Sequence, residues 1–524
     1  MRFESIARTQ NCFHDKIMGL NDFTFYNMIT RNALCFRDRQ AWLEVEDGRT
    51  LTFGEYKEKV DQLAKGVSEL GVRKGDRIGI LGKNSLEYFF LYGAAAALGA
   101  IMLPINWRLS PEEVCFNLND CTPRIIFLDS EYQGFIDGIK DRLPSVENFV
   151  NLGPEGGRFL DFGGLLNNPG NFVPPDVTSE DGFVIMHTAA VGGRPKGALL
   201  SHGNIWCANM HLHYYLHETP EDSNLNVLPI FHIGGLCGVM VAFHAGALNV
   251  NLKKFDAEKT VELITERKGS VLFELAPILA SILDQSEKSE ADISCLRAVV
   301  GIDRPEAIER YQRMTGGVFF TLYGQTEVSA YATFGSYNDR PGAAGRPVPF
   351  GEVRIVDDSD RGLGLNEVGE IVIRGPHVFR GYWNLDEANA YCFRNGWHHT
   401  GDLGRLDEDG FLWYEGRKAD KELIKPGGEN VYPAEVENVI QQHPAIERAV
   451  VFGVPDPKWH EGIKAVCQLK AGYTLGAQEL IDFVGARIAR YKKPQYVEFI
   501  NNFPVSADVS ADRNKIKELY GGSR

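Results

Sequence analysis

Short apolar runs in this chain close on glycine. Phe183-Val-Ile-Met-His-Thr enters a Gly-rich loop, Leu296-Arg-Ala-Val-Val ends at Gly301, and Val318-Phe-Phe-Thr-Leu-Tyr ends at Gly324. Helical patterns separate such runs up to about residue 415, which is the signature of α/β layers. Asp76-Arg-Ile-Gly-Ile-Leu-Gly predicts another strand, and the stretch from Leu86 onward its following helix. Ligands sit at the carboxyl ends of strands in parallel sheets, where these glycines fall.

The texture changes after Pro349. Val353-Arg-Ile-Val-Asp, Glu370-Ile-Val-Ile-Arg, Gly401-Asp402 and Gly410 to Arg417 read as a smaller, partly antiparallel unit. The charged run Arg417 to Lys425 is the expected hinge, with Lys421 inside it. A C-terminal unit follows. It has a helix opened by Pro433, a strand Ala449-Val-Val-Phe-Gly-Val, and a helix from Glu479 to Ile488. The expectation is an α/β fold with a large N-terminal domain, residues 1–418, made of layered subdomains plus a small β unit. A small, mobile α+β domain would occupy 419–524.

The 524 residues suggest two to four folding units. The net charge of -15 argues against a nucleic-acid partner. Nine scattered cysteines match no zinc spacing and read as reduced thiols. Met1-Arg2-Phe3-Glu4 shows no signal core, so the expected location is cytoplasmic. Phe89 to Ile105 is too short and too rich in Ala and Gly to span a membrane. It reads as a buried helix running into a buried strand.

Three loops carry candidate chemistry. Thr188-Ala-Ala-Val-Gly-Gly-Arg-Pro-Lys196-Gly197 offers backbone N–H groups and a lysine to phosphate, although it is no Walker loop. Tyr323-Gly-Gln-Thr326-Glu327 offers a ring for a base, a hydroxyl for a phosphate and a carboxylate for Mg²⁺. Thr400-Gly-Asp402, with Arg417 beyond it, offers an acid to ribose hydroxyls. Each alone is as readily an ordinary strand-end turn. His213 and His217, four apart on an expected helix, lack a third metal ligand.

In this order the motifs resemble the acyl-activating, adenylate-forming enzymes: acyl- and aryl-CoA synthetases, firefly-type luciferases and peptide-synthetase adenylation domains. The resemblance runs from Leu51-Thr-Phe-Gly-Glu-Tyr to Lys515. It takes in Leu98 to Glu113, Gly345-Arg-Pro, Gly369-Glu-Ile-Val-Ile-Arg-Gly, Gly381-Tyr-Trp, Gly427 to Glu437, His443-Pro and Tyr491-Lys-Lys-Pro. It implies that Thr188, Gly193 and Lys196 line the phosphate loop. Tyr323 would stack on adenine, Thr326 contact phosphate, Glu327 hold Mg²⁺, and Asp402 and Arg417 bind ribose. Lys421 falls at the family hinge. Lys425, Gly427 and Gly428 would border the coenzyme A channel. His232, in Leu228-Pro-Ile-Phe231-His232, replaces the aspartate of amino-acid-activating domains and would lie beside the acyl pocket with Gly301.

Two departures bear on adenylation. The family loop carries hydroxyls where this chain has Ala189, Val191 and Gly192. Each lost charge-assisted bond is worth about 1.5–3 kcal/mol, so weaker ATP affinity is expected. The C-terminal Gly-Lys site aligns with Val509-Ser510, and Lys515 is the candidate replacement, with Lys517 and Arg513 as alternatives. Asp303 replaces a small residue and either bonds the adenine amino group or points away.

The expected reaction is carboxylic acid + ATP + CoA to acyl-CoA + AMP + pyrophosphate through an acyl-AMP, with ATP, Mg²⁺ and coenzyme A required. The acid is expected to be aryl or medium-chain, from walls at Phe231 to Gly235, Gly301 to Asp303 and Val328 to Ala332. Rival readings are an adenylating enzyme with a different acyl acceptor, a homologue that has lost adenylation, and a peptide-synthetase domain, which His232 disfavours. A homodimer is common in the family.

Overall fold

A computed structural model describes residues 23–153, 158–188, 195–418, 423–426, 429–457, 459–501, 503–504 and 513–522. Its α/β class and its large N-terminal and small C-terminal parts agree with the sequence expectation.

Two large sheets form the body. One has eight strands, with Gly182–Thr188, Ile101–Ile105 and Arg77–Leu81 side by side at its centre. The other has nine, ordered through Val318–Tyr323, Ala298–Ile302, Val271–Leu275 and Ser223–Asn226, which all run parallel. The sequence places Arg77–Leu81, Gly182–Thr188, Ala298–Ile302 and Val318–Tyr323 well because each is a short apolar run ending at a turn, whereas Ser223–Asn226 has one apolar residue in four and gives no such signal. The uncharged run resolves as expected: the helix Leu86–Leu98 is almost wholly buried, Gly99 closes it in the left-handed conformation, and the strand Ile101–Ile105 follows. Tyr56, Phe89 and Phe243 pack with tilted or edge-on rings at centroid distances of 4.9 to 5.4 Å in the apolar core.

The smaller β unit is a four-stranded sheet of Glu352–Val356, Gly369–Arg374, His398–Leu406 and Leu412–Arg417. It is antiparallel throughout, more regular than the partly antiparallel expectation. Near the C-terminus, Ile446–Asp456, His460–Leu469 and Tyr496–Phe499 form a three-stranded sheet with its own apolar clusters. Pro433–Ile440 and Ala477–Gly485 are helical, and Arg513–Tyr520 packs Ile516 beneath the first strand. The eight described cysteines are free. No described helix is long and apolar enough to cross a membrane.

His217 is not on the helix with His213. The helix ends at Leu216, and His217 caps it with φ 48°, so the two side chains do not share a helical face. The next residue, Glu218, is 9% exposed, and neither of its oxygens has a partner among the described residues. Burial, reinforced by Asp222, pushes its pKa up to about 8. The folded value lies above the unfolded one, so this group favours the folded state most below the ordinary carboxyl range. That contribution is lost as pH rises toward 8. Glu218→Gln is therefore expected to make stability fall more steeply on acidification, by about 1.4 kcal/mol per pH unit between pH 7.5 and 5.5. Urea unfolding of both proteins at those two pH values measures the difference.

Candidate functional site

The Gly-rich loop joins two antiparallel strands, and their register sets Thr188 opposite Lys196. The Thr188 hydroxyl donates to the Lys196 carbonyl at 3.4 Å. Gly193 lies outside the described residues. The Lys196 ammonium sits 4.9 Å from the centroid of the Tyr382 ring. The Tyr382 hydroxyl donates to Glu327 Oε1 at 2.8 Å. Tyr382 is brought there by pairing with Ala198, on the strand that begins at Lys196. Burial, and then Glu327, holds the Tyr382 phenol well above its ordinary pKa, so it stays a donor.

Glu327 lies in a single 3-10 turn, Thr326–Val328, with half-buried Thr326 beside it. The turn is fastened by Phe379, whose N–H donates to the Glu327 carbonyl at 2.8 Å. Gly324 precedes it where no side chain fits, since a Cβ there would lie 1.5 Å from the Ala330 carbonyl oxygen.

A second group surrounds Asp402. Asp402 and Arg417 are register partners across adjacent strands, which is why residues fifteen apart meet. Arg417 Nε lies 3.2 Å from Asp402 Oδ1. The Tyr323 hydroxyl and Gln325 Nε2 donate to Asp402 Oδ2 at 2.8 and 2.6 Å. The Arg417 contact is a charge contact rather than an aligned hydrogen bond, so Oδ1 retains acceptor capacity. The Tyr323 ring is 6% exposed and stacks on Tyr414 at 6.0 Å.

The C-terminal segment reaches this group. Arg417 Nη1 donates to the Tyr432 hydroxyl at 2.9 Å. Burial opposes the Arg417 charge, but Tyr432 and Asp402 outweigh it and raise its pKa. Lys425 is solvent-exposed yet ringed by protein, facing Arg417 and Asp402. Burial and then Arg417 lower its pKa. Lys421, Gly427 and Gly428 lie outside the described residues.

Beyond the strand Ser223–Asn226 of the nine-stranded sheet, His232 caps the helix Ile233–Ala245, its Nδ1 accepting from the Gly234 N–H at 3.2 Å. It too is exposed in a recess. Burial and then Arg108 lower its pKa, favouring a neutral imidazole. Arg108 packs on Trp107 and Phe231 and pairs with Glu429 of the C-terminal segment at 2.6 Å.

Lys515 is exposed on the helix Arg513–Tyr520, and its ion pair is with Glu518 at 2.8 Å. The aligned site Val509-Ser510 lies outside the described residues. Gln325, Tyr382, Arg108 and Tyr432 had no role assigned from sequence. Tyr382 lies inside Gly381-Tyr-Trp, a matched motif whose chemistry shows only once it is paired with Ala198.

Residues 29–383 match the AMP-binding enzyme family and residues 435–508 the AMP-binding enzyme C-terminal domain. Indoleacetate–CoA ligase of Aromatoleum aromaticum is 34% identical over 481 residues, covering 90% of this chain and 93% of that protein. The o-succinylbenzoate CoA synthetase of Bacillus subtilis is 28% identical and covers 95% of this chain and 99% of its own. Its TM-score is 0.84 with a product analogue, OSB-NCoA, bound. The same enzyme holding its acyl-adenylate intermediate, OSB-AMP, gives a TM-score of 0.68 at the same coverage. With the nucleotide-type loops at the strand ends and the C-terminal segment closing on them, the chain belongs to the AMP-binding enzyme family.

Proposed function

We propose that this AMP-forming acid–thiol ligase activates an aromatic carboxylic acid with ATP and transfers the acyl group to coenzyme A. The observation that carries the reading is the meeting of Lys425 and Tyr432, from the C-terminal segment, with Arg417 and Asp402. That arrangement brings a second reactant's loop to a nucleotide site. The better superposition on the product-analogue complex than on the acyl-adenylate complex supports assigning it to the thioester-forming step.

In the first step a carboxylate oxygen of the acid attacks the α-phosphorus of ATP, and the bond to pyrophosphate breaks. Asp402 Oδ1 accepts from ribose hydroxyls, and Thr188, Thr326 and Lys196 bind phosphate oxygens. Glu327 suits Mg²⁺: Tyr382 takes Oε1, and among the described residues no donor takes the other oxygen. When bound there, the ion neutralises phosphate charge. Lys515 is the candidate to bridge carboxylate and phosphate once residues 419–524 rotate about the segment holding Lys421. In the second step the thiol sulfur attacks the acyl carbon and AMP leaves. Lys425, Gly427 and Gly428 border the thiol's approach, and neutral His232 packs beside the acyl group. An aromatic acid fits the apolar walls at Phe231 and Ile302. The named relatives act on indoleacetate and o-succinylbenzoate. The reading includes cytoplasmic residence and leaves a homodimer open.

Pyrophosphate release with ATP and a panel of aryl, arylacetic and medium-chain acids, followed by thioester formation on free coenzyme A, tests this. Release with no acid in the panel would sink it. Release without thioester would point to a different acceptor. Tyr382→Phe frees Glu327 from its neutral donor and removes about 1.5 kcal/mol of charge-assisted bonding. It should lower kcat for pyrophosphate release about tenfold and raise the Mg²⁺ concentration for half-maximal rate. An unaltered Mg²⁺ dependence would detach Tyr382 from Glu327's role.

A further inference from the structure

Glu274 lies one residue before the end of a parallel strand. It is the fourth residue of Val271–Leu275 and is 1% exposed; neither carboxyl oxygen makes a well-aligned hydrogen bond among the described residues, although the Leu279 N–H lies near enough to favour the charged form. Buried polar groups are normally satisfied, so an orphan of this kind needs a reason.

Its position supplies one. Four adjacent parallel strands run in the order Val318–Tyr323, Ala298–Ile302, Val271–Leu275, Ser223–Asn226. The chain beyond the first carries Tyr323 to Glu327, and the chain beyond the last carries Phe231 and His232. Glu274 therefore stands between the nucleotide loops and the acyl-side histidine. Its register partner is Gly301. A Cβ at Gly301 would lie 2.3 Å from Glu274 Oε1, so the bare glycine makes the space this carboxyl occupies.

Asp303 lies close by. Its Oδ1 accepts from the Arg304 N–H at 2.7 Å, while Oδ2 is buried without a partner among the described residues. Burial, and then Asp303, keeps Glu274 well above the ordinary carboxyl range, so its carbonyl oxygen accepts even when the group is protonated. Leu275 and Ile302, the next residue along each strand from the Glu274–Gly301 pair, are 37% and 48% exposed. The edge thus combines open apolar side chains with acceptor oxygens that no well-aligned donor satisfies among the described residues.

We propose that Glu274 and Asp303 form the polar end of the acyl pocket and select aromatic acids whose ring carries an N–H or O–H donor. This rests on the ligase reading above. An apolar pocket cannot strongly reject a near-isostere, but a site built to bond a substrate N–H or O–H rejects the analogue that lacks it.

The test uses two matched pairs with the full-length enzyme: indole-3-acetate against 1-benzothiophene-3-acetate, and 4-hydroxyphenylacetate against 4-fluorophenylacetate. For at least one pair, kcat/KM for thioester formation should favour the donor acid by about ten- to a hundredfold. Glu274→Leu should collapse that ratio to within about threefold by lowering the donor acid's rate alone, and Glu274→Gln should retain part of it. Because Glu274→Leu removes a buried orphan acid, its Tm should not fall below that of the wild type, which separates loss of selectivity from loss of folding. Equilibrium binding of the same acids in the presence of a non-hydrolysable ATP analogue is measured in parallel. Discrimination in binding without turnover would uphold the donor site while the ligase reading falls. Turnover of both members of each pair at equal kcat/KM, or an undiminished ratio in Glu274→Leu, would overturn the donor site while the ligase reading stands.

Discussion

Replacing Lys492 by methionine is expected to lower thioester formation about a hundredfold while leaving pyrophosphate release from ATP and acid within about twofold. Lys492 is a buried ammonium, 4% exposed, between two carboxylates that are themselves 13% and 7% exposed. Glu113, on the helix Pro111–Cys121 of the large body, accepts from its Nζ at 2.7 Å, and Glu435 of the C-terminal segment takes a second bond. Glu113 also accepts from the Ala489 N–H at 2.9 Å and caps its own helix through Ser110. One carboxylate therefore ties helix start, lysine and C-terminal backbone together. Burial opposes the Lys492 charge, but Glu435 and Glu113 outweigh it and hold its pKa well above the ordinary lysine value.

Removing one partner of a buried ion group costs about 3 kcal/mol or more, because the remaining charges stay desolvated. Two carboxylates left facing each other would depopulate the docked arrangement by roughly a hundredfold. Only the half-reaction that uses this arrangement should suffer. Single-turnover measurement of each half-reaction checks the split. Glu113→Gln should move it in the same direction by less. Equal loss of both half-reactions would make the group a matter of general stability.

Asp402→Ala is expected to raise the KM for ATP at least a hundredfold, with a much smaller change in the KM for the acid. Asp402 receives the Tyr323 hydroxyl, Gln325 Nε2 and the Arg417 charge, and is 2% exposed. Loss of the carboxylate removes the proposed ribose acceptor, leaves the Tyr323 hydroxyl and one Gln325 N–H short of an acceptor at about 1–3 kcal/mol each, and leaves the Arg417 charge without its carboxylate. Asp402→Asn keeps an oxygen for one of them and should cost about tenfold. Steady-state kinetics with ATP and acid varied separately distinguishes the two effects. Equal rises in both KM values would mean that Asp402 organises the whole pocket rather than the nucleotide.

The segments around Thr188 and Tyr323 were legible because each follows a strand-length apolar run, whereas Asp402 lies inside the strand His398–Leu406 rather than at a strand end. Their partners were not. Gln325 lies within a recognised motif, yet only the fold aims it at Asp402. Tyr382 and Glu327 are 55 residues apart, and Glu113 and Lys492 are 379 apart. No local spacing encodes such pairs. His217 failed for a local reason, since the helix ends at Leu216 and His217 is itself its left-handed cap. Asp303, left open between adenine and solvent, turns out to have one oxygen on its own loop and the other buried near Glu274.

The order of the strands' apolar runs and their glycine ends was enough to determine the α/β body, a smaller β unit and the small C-terminal part. Those features follow from hydrophobic periodicity and turn chemistry, which act over a few residues. Tertiary structure alone decided which side chains meet: Tyr382 and Glu327, Arg417 and Gln325 with Asp402, Lys492 and Glu113, and Glu274 over Gly301. Those contacts depend on strand register and on the docking of distant segments, and a shift of one residue in either would turn each side chain to another face.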